Sequence, residues 1–507
     1  MRTFKTVKRA QAAGMRPDRR YSLRRAGAVA GGLLAAALCG GPGDAAAQTT
    51  PAPVTAAQPA ATGPAAESDS GFLSGLGANG QLLGDMGGLR PLLKDHGMTL
   101  TLQEISEVLG NVTGGLRTGF VYDGLTTATF QLDTARAFGW AGGTFSASAL
   151  QIHGRNLSTE NLATLETASG IEADRATRLW ELWYDQKMFA GDVFDLKVGQ
   201  QSLDQEFLVS QNALIYVNTA DGWPVVPSLD LPGGGPAYPL SSLGVRGRWR
   251  VAAPLTFLAG VFNGNPVKAN VGGDPQLANA SGTSFPLNGG VLVIGELQYT
   301  SPAPGAMVMP GESPALPGTY KIGFWYDSER FADQRFDTAG LSLADPASSG
   351  MPRQHRGNYS LYAVVDQMVW QDPDEPGHNL SLFTRVMGTP QSDRNLVDVG
   401  LNAGFNVHAP LPGRGDDTFG LSMGYAHVSS RVAGLDRDTA FFTSAFTPVR
   451  GGETYIEATY QYALTPWLQL QPDFQYVFNP GGGVPNAAGT ARIGDEAVIG
   501  IRTTITF

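Results

Sequence analysis

Apolar and polar residues alternate with a period of two from Thr101 to the end of the chain. In the last segment Ala497, Ile499, Ile501, Thr503, Ile505 and Phe507 share one face, while Glu496, Gly500, Arg502, Thr504 and Thr506 share the other. Val498 is the one exception. Successive strand side chains point to opposite faces, so one face of this segment meets something apolar and the other meets water. The pattern recurs at Trp467–Val477, where Leu468, Leu470, Phe474 and Tyr476 oppose Gln469, Gln471, Asp473 and Gln475. It recurs at Glu453–Tyr462, where Ile456, Ala458, Tyr460 and Tyr462 oppose Glu453, Glu457 and Gln461. At Ser242–Val251, Leu243, Val245, Trp249 and Val251 oppose Arg246, Arg248 and Arg250. Sixteen such segments are counted, beginning near residues 101, 118, 143, 178, 193, 242, 255, 291, 319, 358, 379, 395, 418, 453, 467 and 496.

The connections alternate too. Leu464-Thr465-Pro466, Ala252-Ala253-Pro254 and Met188–Asp192 are short, whereas 480–495, 429–452, 328–357, 264–290, 202–241 and 155–177 are mostly long. Two links break the rule: 300–318 is long for a turn and 389–394 short for a loop. Bacterial outer-membrane barrels show this asymmetry, with short periplasmic turns and longer outer loops. A soluble sandwich would need a second sheet over every apolar face, and no linker interrupts residues 101–507. The reading is therefore an all-β chain, a transmembrane antiparallel β-barrel of 16 strands wide enough for an aqueous channel.

The first 47 residues read as an export signal. Arg16, Arg19, Arg20, Arg24 and Arg25 precede an apolar stretch from Ala26 to Cys39, and Ala45-Ala46-Ala47 supplies a cleavage site. Residues 48–70, rich in Pro and Ala, read as a disordered linker. Residues 71–100 form a lead-in, helical or plugging the lumen. The glycines Gly84, Gly87 and Gly88 argue for a turn there, and Leu89, Leu92 and Leu93 just beyond have helical spacing. After the leader no uncharged apolar run reaches the ~18 residues of a spanning helix. The leader holds nine of the 35 basic and two of the 45 acidic residues, leaving 26 against 43, a net −17. Nucleic acid is an unsuitable partner for such a chain. Cys39, the only cysteine, lies in the leader, so no thiol chemistry is expected of the mature chain.

Several segments carry a resemblance. Gly84-Asp85-Met86-Gly87-Gly88-Leu89-Arg90 looks like a G-D-W-G-G-x-R motif, with Met86 where Trp is usual. Glu107–Gly115 comes next, then Arg178-Leu179-Trp180-Glu181-Leu182-Trp183-Tyr184-Asp185-Gln186, similar to an R-L-W-E-x-W-Y-x-Q strand. Gly199-Gln200-Gln201 with Asp204, Glu206 and Phe207 follows, and the most specific match is Thr465-Pro466-Trp467-Leu468 through Gln471–Tyr476 and Asn479-Pro480-Gly481-Gly482. Over residues 80–507 the chain resembles the OprB family of carbohydrate-selective porins. The resemblance implies a sixteen-stranded outer-membrane barrel, diffusion of neutral mono- or small oligosaccharides into the periplasm, and no catalysis.

A site for a neutral sugar needs paired charged or amide groups for hydroxyls and an aromatic for the ring face, held weakly enough to release. Lumen parity nominates the ladder Arg246, Arg248 and Arg250, the strand carrying Glu181, Trp183 and Asp185, then Lys197 and Gln201, with Arg385 and Glu457 further round. The 202–241 link is the third outer loop and the longest. A loop of this rank commonly folds inward, which adds Asp204, Glu206, Asn212, Trp223 and Asp230 as constriction candidates. Phe507, an aromatic carboxyl terminus in outward register, is the expected signal to the barrel-assembly machinery. The other expected partners are sugars in transit, outer-membrane lipid and lipopolysaccharide. Porins of this size are often trimers, so a homotrimer is one expected state, although no interface is legible.

Two enzyme-like motifs are accidents of 66 glycines. Gly420–Gly424 fits G-x-S-x-G but sits inside an alternating strand, and Gly75–Gly80 fits G-x-G-x-x-G with no strand before it. The six histidines show no metal spacing, and nothing fixes the acid/base pair of a glycosidase. No cofactor or metal is expected. The rival reading is a general or anion-selective porin, favoured if the arginine ladder lacks acidic partners; a plugged structural barrel is a third.

Overall fold

The computed structural model describes residues 80–268, 273–304 and 315–507. The leader, the linker and the first residues of the lead-in lie outside the described residues. Sixteen strands form one closed antiparallel barrel in which each pairs with its sequence neighbours and the first pairs with the last. They are β1 Met98–Thr113, β2 Gly119–Asp133, β3 Gly143–Gly154, β4 Ala176–Met188, β5 Phe194–Gln201, β6 Ser242–Ala252, β7 Leu255–Asn263 and β8 Val291–Ser301. Then come β9 Gly318–Asp337, β10 Pro352–Gln371, β11 Asn379–Gly388, β12 Val397–His408, β13 Thr418–Val428, β14 Gly452–Thr465, β15 Leu468–Phe478 and β16 Glu496–Thr506. Closure answers a strict constraint: in hydrocarbon each backbone N–H and C=O must pair within the sheet, and an open edge has no partner.

Strand starts follow the alternation closely, with one exception. The segment expected near 358 begins at Pro352, and β9 runs on to Asp337, so most of the 328–357 link is paired hairpin. Each of these strands has 20 residues, about twice the 9–11 that a membrane strand needs. The excess projects past the membrane, where no lipid demands an apolar outer face, so no alternation signals a strand; Phe331 and Asp333 there are buried. Asp337 closes its turn by accepting from the backbone N–H groups of Ala339, Leu341 and Ser349. The helix Ser430–Thr443 braces it through a two-pronged Arg335–Asp438 pair. Among the described residues no helix is long and apolar enough to cross a membrane.

Two outer loops turn inward. Loop 2 (155–175) reaches across to β14 and β15, where Glu453 accepts from the N–H groups of Leu165 and Glu166, and Gln475 donates to the Ala168 carbonyl. Loop 3 (202–241) lays Leu208, Trp223 and Val226 against the inward Leu292, Trp325 and Val364, making an apolar core inside the barrel. Val498, out of step in the sequence pattern, is an inward residue packed against loop 2.

The lead-in locks the seam between β1 and β16. Gly84, Met86, Gly87 and Gly88 all have positive φ, forming the turn expected there, and α1 (Leu89–Asp95) follows. Leu82 donates its N–H to the Thr506 carbonyl at 2.8 Å, and Arg90 Nη2 donates to the terminal residue's oxygen. The Phe507 N–H donates to the Leu102 carbonyl at 2.9 Å. Deleting Phe507 is expected to lower the share of heat-modifiable barrel in outer membranes. Arg90→Ala should assemble but lose up to about 1.5–3 kcal/mol, the worth of a charged hydrogen bond. Gel mobility after stepped heating reads both.

Candidate functional site in the lumen

Cross-strand register builds a charge cluster on β4, β5 and β6. Asp185 lies opposite Lys197, Lys197 opposite Arg246, and Asp195 opposite Arg248. Inward neighbours on adjoining strands lie close enough to interact directly, so acids and bases interleave. Arg246 pairs with Asp195 and also, at 2.6 Å, with Glu206 of loop 3. Arg248 Nε lies 2.7 Å from the other Asp195 oxygen. Lys197 pairs with Glu206 and sits 4.3 Å from the centroid of the Trp183 ring. Burial pushes the Glu206 carboxyl up, but Lys197 and Arg246 outweigh it and hold it at about 2. Glu181 accepts from the Ser202 N–H at 3.0 Å, fixing the start of loop 3. Arg246 and Arg248 therefore have acidic partners.

The other nominated residues lie elsewhere. Arg250 donates to the Asp192 carbonyl in the periplasmic turn, away from the cluster. Gln201 and Asp204 hold backbone: Gln201 donates to the Gly244 carbonyl, and Asp204 accepts from the Tyr238 N–H. Arg385 and Glu457 are buried beneath loop 3 and seat it. Arg385 donates to the carbonyls of Leu208 and Gly222, and Glu457 accepts from the N–H groups of Val217 and Asn218. Asn212 N–H donates to Asp366, the Trp223 indole to the Gly234 carbonyl, and Asp230 accepts from Leu396 N–H. These three also position loop 3.

Sequence reasoning missed a second group where loops 2 and 3 meet β1–β4. Arg178 pairs in register with Leu150 and Glu181 with Ser148, both inward partners, and the register shifts between them. This β-bulge at Leu179 and Trp180 lets Arg178 and Glu181 point into the lumen although three residues separate them. Strict alternation puts Arg178 toward lipid, so lumen parity did not nominate it although it opens the quoted strand motif; the tell-tale signal was an arginine on an apparent lipid face. Its guanidinium donates to the carbonyls of Pro239 and Gln276 while Nε has no partner. Nearby, both Asp123 carboxylate oxygens, Asp174 Oδ2 and the Trp180 indole N–H are buried and unpaired. Burial, then the Asp123 charge, raises the Glu172 carboxyl to about 8. Buried polar groups are normally hydrogen-bonded, so this seam presents unmet donors and acceptors at one place.

The profile of the carbohydrate-selective porin, OprB family, matches residues 117–507. The chain belongs to that family. Porin B of Pseudomonas aeruginosa is 25% identical over 425 residues, covering 79% of this chain and 87% of the relative. The putative porin QuiX of Acinetobacter baylyi is 23% identical over 451 residues, covering 84% and 93%. The high-pH structure of Pseudomonas putida OprB superposes with a TM-score of 0.72 at 22% identity, covering 85% of this chain and 99% of that one. This OprB-family porin is an outer-membrane channel for sugar diffusion.

Burial varies around the lumen of this OprB-family porin. The inward residues Ser381, Phe383, Arg385 and Met387 of β11 are all buried under loop 3, as are Glu453 and Glu457 of β14 under the two loops. Across the barrel, the inward Arg502, Gln103, Thr127, Thr129, Asp185 and Arg248 are half-buried. On the same wall Arg178, Glu181, Asp195, Lys197 and Arg246 are buried, so half-buried and buried positions lie side by side there. Asp195→Ala removes the partner shared by Arg246 and Arg248. It should destabilise the barrel by about 3–5 kcal/mol, the cost of breaking a buried pair, read as a lower unfolding temperature in detergent. Arg250→Ala should change that temperature little.

Proposed function

We propose that neutral sugars pass between the Arg178 seam and the Lys197–Arg246–Arg248 cluster, exchanging hydroxyl contacts with both. The observation carrying this reading is the set of buried polar atoms at the seam without protein partners. A sugar hydroxyl both donates and accepts, so it serves an arginine Nε and a carboxylate oxygen alike. Half-exposed Trp180, edge-on to Tyr238 with ring centroids 6.2 Å apart, supplies an apolar surface for the sugar ring. Interleaved charges favour a neutral solute over an anion: Lys197, Arg246 and Arg248 face Glu181, Asp185, Asp195 and Glu206. That pairing weighs against the anion-selective reading. In this account lipid and lipopolysaccharide surround the barrel, and the barrel-assembly machinery inserts it through Phe507.

Single-channel current with and without sugar tests the proposal. Sugar should block the wild-type current. Arg178→Ala and Arg248→Ala should each weaken that block by about 0.5–1.5 kcal/mol, the net worth of a hydrogen bond. Arg248→Ala should also shift ion selectivity toward cations. Val245→Ala, on the lipid side of the same strand, should alter neither property. Current indifferent to sugar in the wild type would overturn the proposal in favour of a general porin.

A further inference from the structure

The inner wall holds a basin that the proposed sugar path does not use. It lies at the periplasmic ends of β8–β12, on the far side of the lumen from Arg178 and Arg248. Register brings its side chains together. Thr300 pairs with Thr319, Thr319 with Asp366, and Asp366 with the inward Phe383. Asn379 pairs with His408 and shares parity with the inward Ser381. Residues directly opposite on paired strands share a face, so all five line one cavity of about 420 Å³. Small-molecule sites commonly enclose roughly 300–1,000 Å³.

Loop 3 roofs this basin and is fixed to it. Asn212 donates its N–H to Asp366 at 3.2 Å and its side-chain amide to the Leu382 carbonyl, while its own carbonyl accepts from Asn406 Nδ2 at 2.6 Å. Ser210 and the Gln211 N–H also donate to Asp366. That carboxylate is therefore engaged on both oxygens, yet its charge still repels anions. Asn379 is the unmet group. Its Nδ2 donates to the Gly377 carbonyl at 3.1 Å, which fixes the amide's orientation, and the residue is only 8% exposed. Its Oδ1 is buried without a partner. Buried acceptors are normally satisfied, so this one calls for a donor from a bound molecule. Around it stand two threonine hydroxyls and an imidazole, groups that meet hydroxyls as donors or acceptors. Met368 adds an apolar surface.

We propose that this basin is a second sugar site, filled from the periplasmic side of loop 3. One sugar hydroxyl donates to Asn379 Oδ1, others meet Thr319 and His408, and the ring lies against Met368. The choice of sugar as occupant rests on the proposed function above, while the site itself is separate from the Arg178 seam and the Arg248 cluster.

Protection of a thiol tests it. Thr319, half-buried at the basin's edge, is changed to Cys in the full chain carrying Cys39→Ser, which removes the sole native cysteine. In detergent, saturating glucose should slow the reaction of Thr319→Cys with a small neutral maleimide at least fivefold. Gluconate, which adds a negative charge, should protect at least tenfold less well at equal concentration. Adding Asn379→Leu should weaken glucose protection at least tenfold, and His408→Phe should weaken it likewise if the first variant fails to fold. Gln469→Cys, facing the lumen from the same end of β15, should react at one rate with and without glucose. Arg178→Ala should leave protection intact while weakening current block, so loss of either sugar site is seen without the other. Absent protection at Thr319→Cys would overturn the proposal, as would equal protection at Gln469→Cys or protection that survives both Asn379→Leu and His408→Phe. Equal protection by gluconate would overturn the assignment to a neutral sugar.

Discussion

The interior of this porin depends on the seating of loop 3 against the inner wall. A barrel of 16 strands encloses more space than a sugar path needs. Loop 3 narrows it by packing an apolar core where the lumen is expected to be wet, and buried lumen groups fix its course. Arg385 gathers three loop carbonyls, those of Leu208, Ala220 and Gly222. Glu457 caps two N–H groups, and Lys321 Nζ donates to the Val209 carbonyl at 2.7 Å. A loop carries many backbone groups that must be paired when it leaves water. The polar residues of β9–β14 supply those pairs, and the proposed sugar path runs along the opposite wall.

In the proposed function, selectivity rests on the charged cluster of β4–β6 and loop 3. That cluster sets cations and carboxylates side by side, with Asp195 between two arginines and Glu206 between an arginine and a lysine. Such a wall has little net charge to offer an ion but many polar atoms to offer hydroxyls. Contacts of that kind are individually weak, as transport requires. The loops serve twice: they narrow the path, and they bring Glu206, Tyr238, Glu172 and Asp174 to its edge.

The barrel was legible in the sequence because membrane strands must alternate; the lumen was less so. Parity says which residues share a face, but not whether the inward face meets water or a folded-in loop. Arg385 and Glu457 therefore read as channel residues although they are buried under loop 3, and Val498 read as an exception although it packs on loop 2. Arg178 was hidden by the bulge at Leu179 and Trp180, which changes parity within a strand. The upper parts of β9 and β10 were hidden because no lipid meets them there to demand an alternating apolar face. The Arg246–Asp195–Arg248 arrangement was half visible: the arginines stood out, while their acid on the next strand depends on a register fixed only by the fold.

Thiol accessibility in the open channel tests most directly whether loop 3 divides the lumen into a covered and a free wall. Thr129 faces the lumen from β2 and is half-buried; Ser422 faces it from β13 and donates to Asp221 of loop 3. Single cysteines at these two positions, treated with a charged thiol reagent during a current recording, should behave oppositely. Thr129→Cys should react quickly and change the current, while Ser422→Cys should stay inert. Rapid reaction at Ser422→Cys with none at Thr129→Cys would contradict it.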